Sequence, residues 1–171
     1  SKHTLDKKYW QGSEFKIGLV SDAHLCSHYA REDVLNMLYD LFEDEGIEDV
    51  YNGGNWIDGE ARFNKNNISV RGMTAQVEYA AKNYPHKKGI TTHFIAGDDH
   101  EGWYAQREGI NIGEYLQLKR EQLGMHDMNY LGYVEADIEL NPDSYPKRQF
   151  MRLMHPGGGS AYAVSYKSQK I

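Results

Sequence analysis

Between Phe15 and Val20 apolar positions first alternate with polar ones and then run together, the pattern of a strand buried in a sheet. Ser21 to Tyr29 is small and polar and predicts a loop. Over Arg31 to Glu45 the apolar Val34, Leu35, Leu38, Leu41 and Phe42 recur at helical spacing. Acids crowd both ends of that stretch, and Gly46 stands where a C-terminal cap belongs. Ile47 to Asn52 predicts a second short strand and Gly53 to Gly59 a loop after it. Gly72 to Tyr84 predicts a helix stopped by Pro85. Thr91 to Ala96 predicts a third strand that runs into Gly97-Asp-Asp-His-Glu-Gly102. Ile112 to Leu123 predicts a third helix ended by Gly124, and Tyr133 to Leu140 and Gln149 to Met154 predict two last strands.

Strands and helices alternate with short connections, so the expected class is α/β with a largely parallel central sheet. No repeat or linker divides the chain, and residues 1–171 are expected to form one domain. The 171 residues carry 19 Lys and Arg against 25 Asp and Glu, a net charge of −6, with 40% hydrophobic positions. That composition excludes disorder as the default. No apolar run is long enough for a membrane helix, and the polar start shows no signal-peptide core, so no membrane partner and a cytoplasmic address are expected. Cys26 is the one cysteine, which rules out an intrachain disulfide and a cysteine zinc knuckle; it reads as a small buried residue. The acidic balance counts against a broad phosphate-tracking surface, although a metal would supply positive charge locally.

Open α/β sheets place their ligand sites at the loops that follow strands. In this chain those loops deliver Asp22 and His24, then Asn55 and Asp58, then Asp98, Asp99 and His100, and last His155. A lone loop histidine is usually a plain surface residue. Carboxylates and imidazoles gathered at one sheet edge point instead to a cation that joins them.

In these residues the chain resembles the calcineurin-like metallophosphoesterase superfamily. That family runs Asp-x-His, Gly-Asp-x-x-Asp, Gly-Asn-His-Asp/Glu, a lone His at a strand end, and Gly-His-x-His. Asp22-Ala-His24 matches the first motif, and Gly54-Asn-Trp-Ile-Asp58 matches the second with Asn55 in place of the bridging Asp. Asp99-His-Glu101 matches the third with Asp99 in place of the Asn ligand and Asp98 in the preceding glycine position. His155 before Pro156 matches the fourth. The resemblance spans Phe15 to Gly159 and implies a metallophosphoesterase-like layered α/β sandwich.

Two departures stand out. Asp and Asn are exchanged between positions 55 and 99, so the carboxylate lost at one is returned at the other. A neutral amide bridges two cations poorly, and the bridge is expected from Asp99, Asp98 or hydroxide if not from Asn55. No Gly-His-x-His follows His155 before Ile171. The expectation is a fold incomplete at its C-terminus, since Ser160 to Ile171 reads as an element being entered. Its metal site would be open and weaker, and an unpaired sheet edge would invite an oligomer.

The resemblance implies hydrolysis of a phosphoester, of phosphodiesterase or nuclease type, by a metal-activated hydroxide and two divalent ions. Manganese is favoured, with iron, nickel, zinc or magnesium as alternatives. Asp22 and His24 would hold the first ion, Asn55 would sit between the two, and Asp99 and His155 would hold the second. His100 would contact the phosphate and protonate the leaving group, and Asp58 would orient a ligand. The alternative is a non-catalytic binding or assembly module with a decayed metal centre. Trp56, Trp103, Tyr104, Arg62, Lys65 and Arg71 flank the loops and would suit a nucleotide or nucleic-acid substrate, but packing and solvation are the commoner uses of such residues. Gly157-Gly-Gly159 would let backbone approach a phosphate or serve as a plain turn. His3, His28, His86, His93 and His126 have no motif context and are expected to be structural or exposed.

Overall fold

Strands Gly18–Val20 (β2), Asp49–Asn52 (β3), Thr91–Ala96 (β4) and Met128–Tyr133 (β5) lie side by side in chain order, all parallel. This is a computed structural model that describes residues 2–5, 16–140 and 149–156. The connections carry helices Glu32–Asp44 (α1), Met73–Asn83 (α2), Gly102–Glu108 (α3) and Ile112–Gln122 (α4). A sheet whose strands follow in sequence order, with crossovers of one hand, collects its helices on a single face. The burial pattern agrees. Val50, Phe94 and Met128 pack with Leu35, Tyr39, Val77, Ala80 and Leu116 of the helices. Tyr51, Ile95 and Leu131 point the other way and pack with Ala136 and Ile138.

That opposite face is covered by a smaller sheet of Lys2–Thr4 (β1), Glu135–Glu139 (β6) and Phe150–Met154 (β7). Here β1 runs parallel and β7 antiparallel to β6. The α/β class with a parallel sheet is therefore present, as a four-stranded parallel sheet beside a mixed three-stranded one. Among the described residues no helix is long and apolar enough to cross a membrane.

Most expected elements stand within two residues of their positions, and the differences have local causes. The stretch Tyr133 to Leu140 is two strands, not one: Val134 takes φ +65° between β5 and β6 and turns the chain from one sheet to the other. The sequence pattern predicts no strand over β5, because Asn129 and Gly132 interrupt its apolar run. Helix α3 begins inside the expected loop without a side-chain cap, and so lacks a start signal. Phe15, Gly157–Gly159 and Ser160–Ile171 lie outside the described residues.

β1 brings a titratable group into the space between the sheets. The His3 ring sits 4.2 Å from the His93 ring and 6.1 Å from Tyr51. Burial, helped by His93 and opposed by Asp49, pushes the His3 imidazole down from 6.5 to about 4. The folded protein thus binds fewer protons than the unfolded chain between these values. The stabilisation is complete above pH 6.5 and is lost as pH falls toward 4, with a slope of up to about 1.4 kcal/mol per pH unit. Urea melts across this range should show a shallower loss for His3→Gln than for the parent; equal slopes would remove His3 as the cause.

Candidate metal centre

Past the ends of β2 and β3 the two chains stay zipped together. Asp22 N–H donates to Gly54 O (3.0 Å), His24 N–H to Asn55 O (2.9 Å), Leu25 N–H to Trp56 O (3.0 Å), and Asp58 N–H to Leu25 O (2.8 Å). The backbone manages this with left-handed residues: Asp22 (φ 54°), His24 (φ 46°) and Asn55 (φ 53°). His100 in the next loop is a fourth (φ 51°). These four account for most of the non-glycine residues with positive φ among those described. Each such conformation costs on the order of 1 kcal/mol or more for a residue with a β-carbon, and such residues cluster where function over-determines geometry.

The third loop is tied to the second by a buried carboxylate. Glu101 is fully buried, and its Oε1 accepts from Asn55 N–H (2.8 Å) and Gly97 N–H (2.7 Å). Burial pushes this carboxyl up to about 8 against the pull of those two N–H groups, and Asp99 adds to the rise. The fourth contribution arrives through β7: Val134 N–H donates to Ala96 O (2.7 Å), and His155 N–H donates to Val134 O (2.8 Å). Two glycines make room. A β-carbon on Gly97 would lie 2.7 Å from Asn55 Oδ1 and 3.1 Å from the His155 ring. One on Gly54 (φ 99°) would lie 2.9 Å from Gly97 N and 3.0 Å from His155 Nδ1.

Within this frame the expected residues fall into two linked groups. His24, Asp58 and His100 offer ligand atoms within 4.8 Å of one another, as do Asp98, Asp99 and His155. Asp22 and Asn55 connect them. Asp22 Oδ1 lies 3.7 Å from His24 Nε2 and accepts from Asn55 Nδ2 (3.1 Å), while Asn55 Oδ1 faces Gly97 and the second group. Burial raises the Asp22 carboxyl, but hydrogen bonds from Ser21 and Asn55 and the nearby His155 and His24 outweigh it and leave the pKa lowered.

All three histidines are held the same way. Nδ1 of His155 meets Gly53 O (2.8 Å), Nδ1 of His100 meets Asp58 O (2.8 Å), and Nδ1 of His24 meets Asp58 Oδ1 (3.0 Å). A carbonyl or carboxylate oxygen only accepts, so each Nδ1 donates and, in the neutral ring, each Nε2 presents its lone pair. That is the arrangement by which proteins orient imidazoles toward a metal. His155 Nε2 faces Asp99 Oδ1 at 3.2 Å.

The donor set fits divalent cations on a second observation. Asn55 Oδ1 and Asp98 Oδ1 are buried and accept no hydrogen bond. Buried acceptors without a donor are costly, and a cation is one group that satisfies them. Oxygen and imidazole nitrogen together suit manganese, iron, nickel or zinc.

Asp22, His24, Asn55, Asp99, His100 and His155 are thus brought into one region, with Asp58 holding His24. Three further residues shape the site. Glu101 stood within the third motif but drew no expected role, and Asp98 was named only as an alternative bridge. Asn64, which donates to Asp58 Oδ2 (3.0 Å), carries no sequence signal. Of the flanking aromatics, Trp56 and Tyr104 are core residues, 0% and 3% exposed. Comparison with protein-family models, curated proteins and solved structures returns no match for this chain.

Proposed function

We propose that the chain is a divalent-metal-dependent phosphoesterase of phosphodiesterase type, built as a metallophosphoesterase-like layered sandwich. The observation that carries this reading is the set of three imidazoles anchored through Nδ1 in the strand-end loops, with Nε2 of His24 and His155 turned toward Asp22 and Asp99. Asp22 and His24 would hold one cation, Asp99 and His155 a second, with Asn55 between them. Cations bound there would neutralise charge on the phosphoryl oxygens and lower the pKa of water toward neutrality. Asp58 and Gly53 O fix the rings of His24 and His155, so that little reorganisation accompanies binding. His100 keeps its Nδ1 proton on Asp58 O, so its imidazolium form carries the second proton on Nε2, the atom that would pass it to the leaving oxygen and end as a neutral ring.

The protein is expected to hydrolyse bis-para-nitrophenyl phosphate with manganese and to lose that activity on chelation. Metal bound without turnover would favour the non-catalytic binding module instead. The exchange at positions 55 and 99 gives a second test. Asn55→Asp alone adds a carboxylate beside Asp22, and Asp99→Asn alone removes the one that faces His155. Either single variant is expected to disturb manganese affinity more than the double exchange does. Additive effects across the cycle, measured by calorimetry, would exclude a compensated pair.

A further inference from the structure

The loop that leaves Asp58 carries an exposed ring on a rigid support. Asn64 is 5% exposed; its Oδ1 accepts from Ala61 N–H (2.8 Å) and its Nδ2 donates to Asp58 Oδ2 (3.0 Å), which anchors the loop to the site. Next to it Phe63 is 76% exposed, although burying such a side chain is worth about 1.5–3 kcal/mol. Phe63 meets Trp103 edge to face at 5.4 Å, Trp103 stacks on His100 at 4.8 Å and 30°, and His100 meets His24 at 4.2 Å. A continuous row of rings therefore leads from the metal-facing imidazoles to solvent.

Charge at the outer end of this row is positive in a chain of net charge −6. Arg71 pairs with Glu60 (3.7 Å) and donates to Lys65 O (2.8 Å), and Arg107 donates to Glu60 O (3.0 Å). Arg62 and Lys65, on either side of Phe63 and Asn64, are exposed and make no ion pair among the described residues. An exposed aromatic flanked by unengaged cations is what a single strand of nucleic acid requires: a face on which any base stacks, and charges that meet its phosphates. A duplex keeps its bases stacked on one another and offers no such face.

We propose that Phe63 and Trp103, with Arg62 and Lys65, form a binding platform for single-stranded nucleic acid, and seat a base next to the phosphodiester that enters the metal centre. This rests on the phosphodiesterase reading for the fate of the strand, but not for its binding.

Binding is tested by fluorescence anisotropy of a labelled twelve-residue oligodeoxyuridylate, its oligouridylate counterpart and a duplex of equal length, at low salt with chelator present so that nothing is cleaved. Single strands are expected to bind in preference to duplex, and the stronger of the two single strands identifies the sugar. Phe63→Ala should weaken binding about ten-fold or more, the scale of one lost base stack. The Arg62→Ala/Lys65→Ala double variant should lower the salt dependence of log K by about 0.7 for each phosphate contact removed. Both sites are exposed, so folding is not at issue. No strand binding, binding indifferent to Phe63, or equal binding of duplex would overturn the platform. Turnover of bis-para-nitrophenyl phosphate by the parent protein is read separately. Phe63-dependent binding without that turnover removes the enzyme and keeps the platform, whereas turnover with Phe63-independent binding removes the platform alone.

Discussion

His100→Asn should lower kcat on a phosphodiester by about 10²–10⁴-fold, the usual contribution of a positioned acid or base, while manganese affinity stays within a few-fold of the parent. Asparagine is the better replacement here because it tolerates the left-handed backbone at this position, φ 51°, where alanine would add strain. The ring is clamped on three sides: its Nδ1 donates to Asp58 O, Trp103 stacks on one face, and His24 approaches at 4.2 Å. If its task is to protonate the leaving oxygen, the loss should depend on what leaves. A para-nitrophenolate leaves without a proton, so its ester should suffer least, and a diester with a nucleoside leaving group should suffer most. Because His100 also lies within ligand distance of His24 and Asp58, there is a clear contrary result. Equal losses for both esters, together with lost manganese, would make His100 a metal ligand and not the acid.

Arg120→Leu should cost about 3–5 kcal/mol of folding stability, a large part of the 5–15 kcal/mol that holds a typical domain together. Arg120 is fully buried on α4, yet every face of its guanidinium is engaged. Nε and Nη2 donate to the two oxygens of Asp127, both at 2.8 Å. Nη1 donates to Ala81 O (2.7 Å) and Tyr84 O (2.9 Å), and Nη2 to Pro85 O (3.1 Å). Ala81 lies in the last turn of α2, where the helix itself leaves carbonyls without partners, and Tyr84 and Pro85 lie just past its end. Leucine would strand these carbonyls and leave the Asp127 carboxylate half-buried and without its arginine partner. Arg120→Lys keeps the charge but not the planar fork, and should recover only part of the loss. Urea unfolding that moves by less than about 1 kcal/mol for Arg120→Leu would contradict this account of the α2–α4 contact.

What the sequence made legible follows from range. Thr91 to Ala96 was readable as a strand because β-branched Thr91, Thr92 and Ile95 stand with Phe94 in a short stretch, nearly all of it buried. α1 was readable because one stripe, with Leu35, Leu38 and Phe42, meets the sheet while Met37 faces out; Leu41, counted with the stripe in the sequence, is instead exposed. The ligand-bearing loops were readable because each follows a segment with a strand pattern in the sequence. Arg120 and Glu101 were not. An ionisable residue inside a core is specified by partners far along the chain, 46 residues away for the Glu101 to Asn55 contact, and local periodicity carries no trace of them. β5 and α3 were missed for a related reason: their positions are fixed by the sheet and by the third loop, not by propensity or caps. The aromatic candidates divided on burial, with Trp56 and Tyr104 in the core and Trp103 beside His100. Only the path of the chain decides which of three similar residues meets solvent.

In the proposed centre, side chains from four separate loops close around divalent cations. A crystal soaked in manganese and measured at a wavelength where manganese scatters anomalously tests this directly. The account predicts density bounded by Asp22 and His24 and density bounded by Asp99 and His155, with Asn55 between them. Anomalous density only at carboxylates outside these loops, or none, would contradict it.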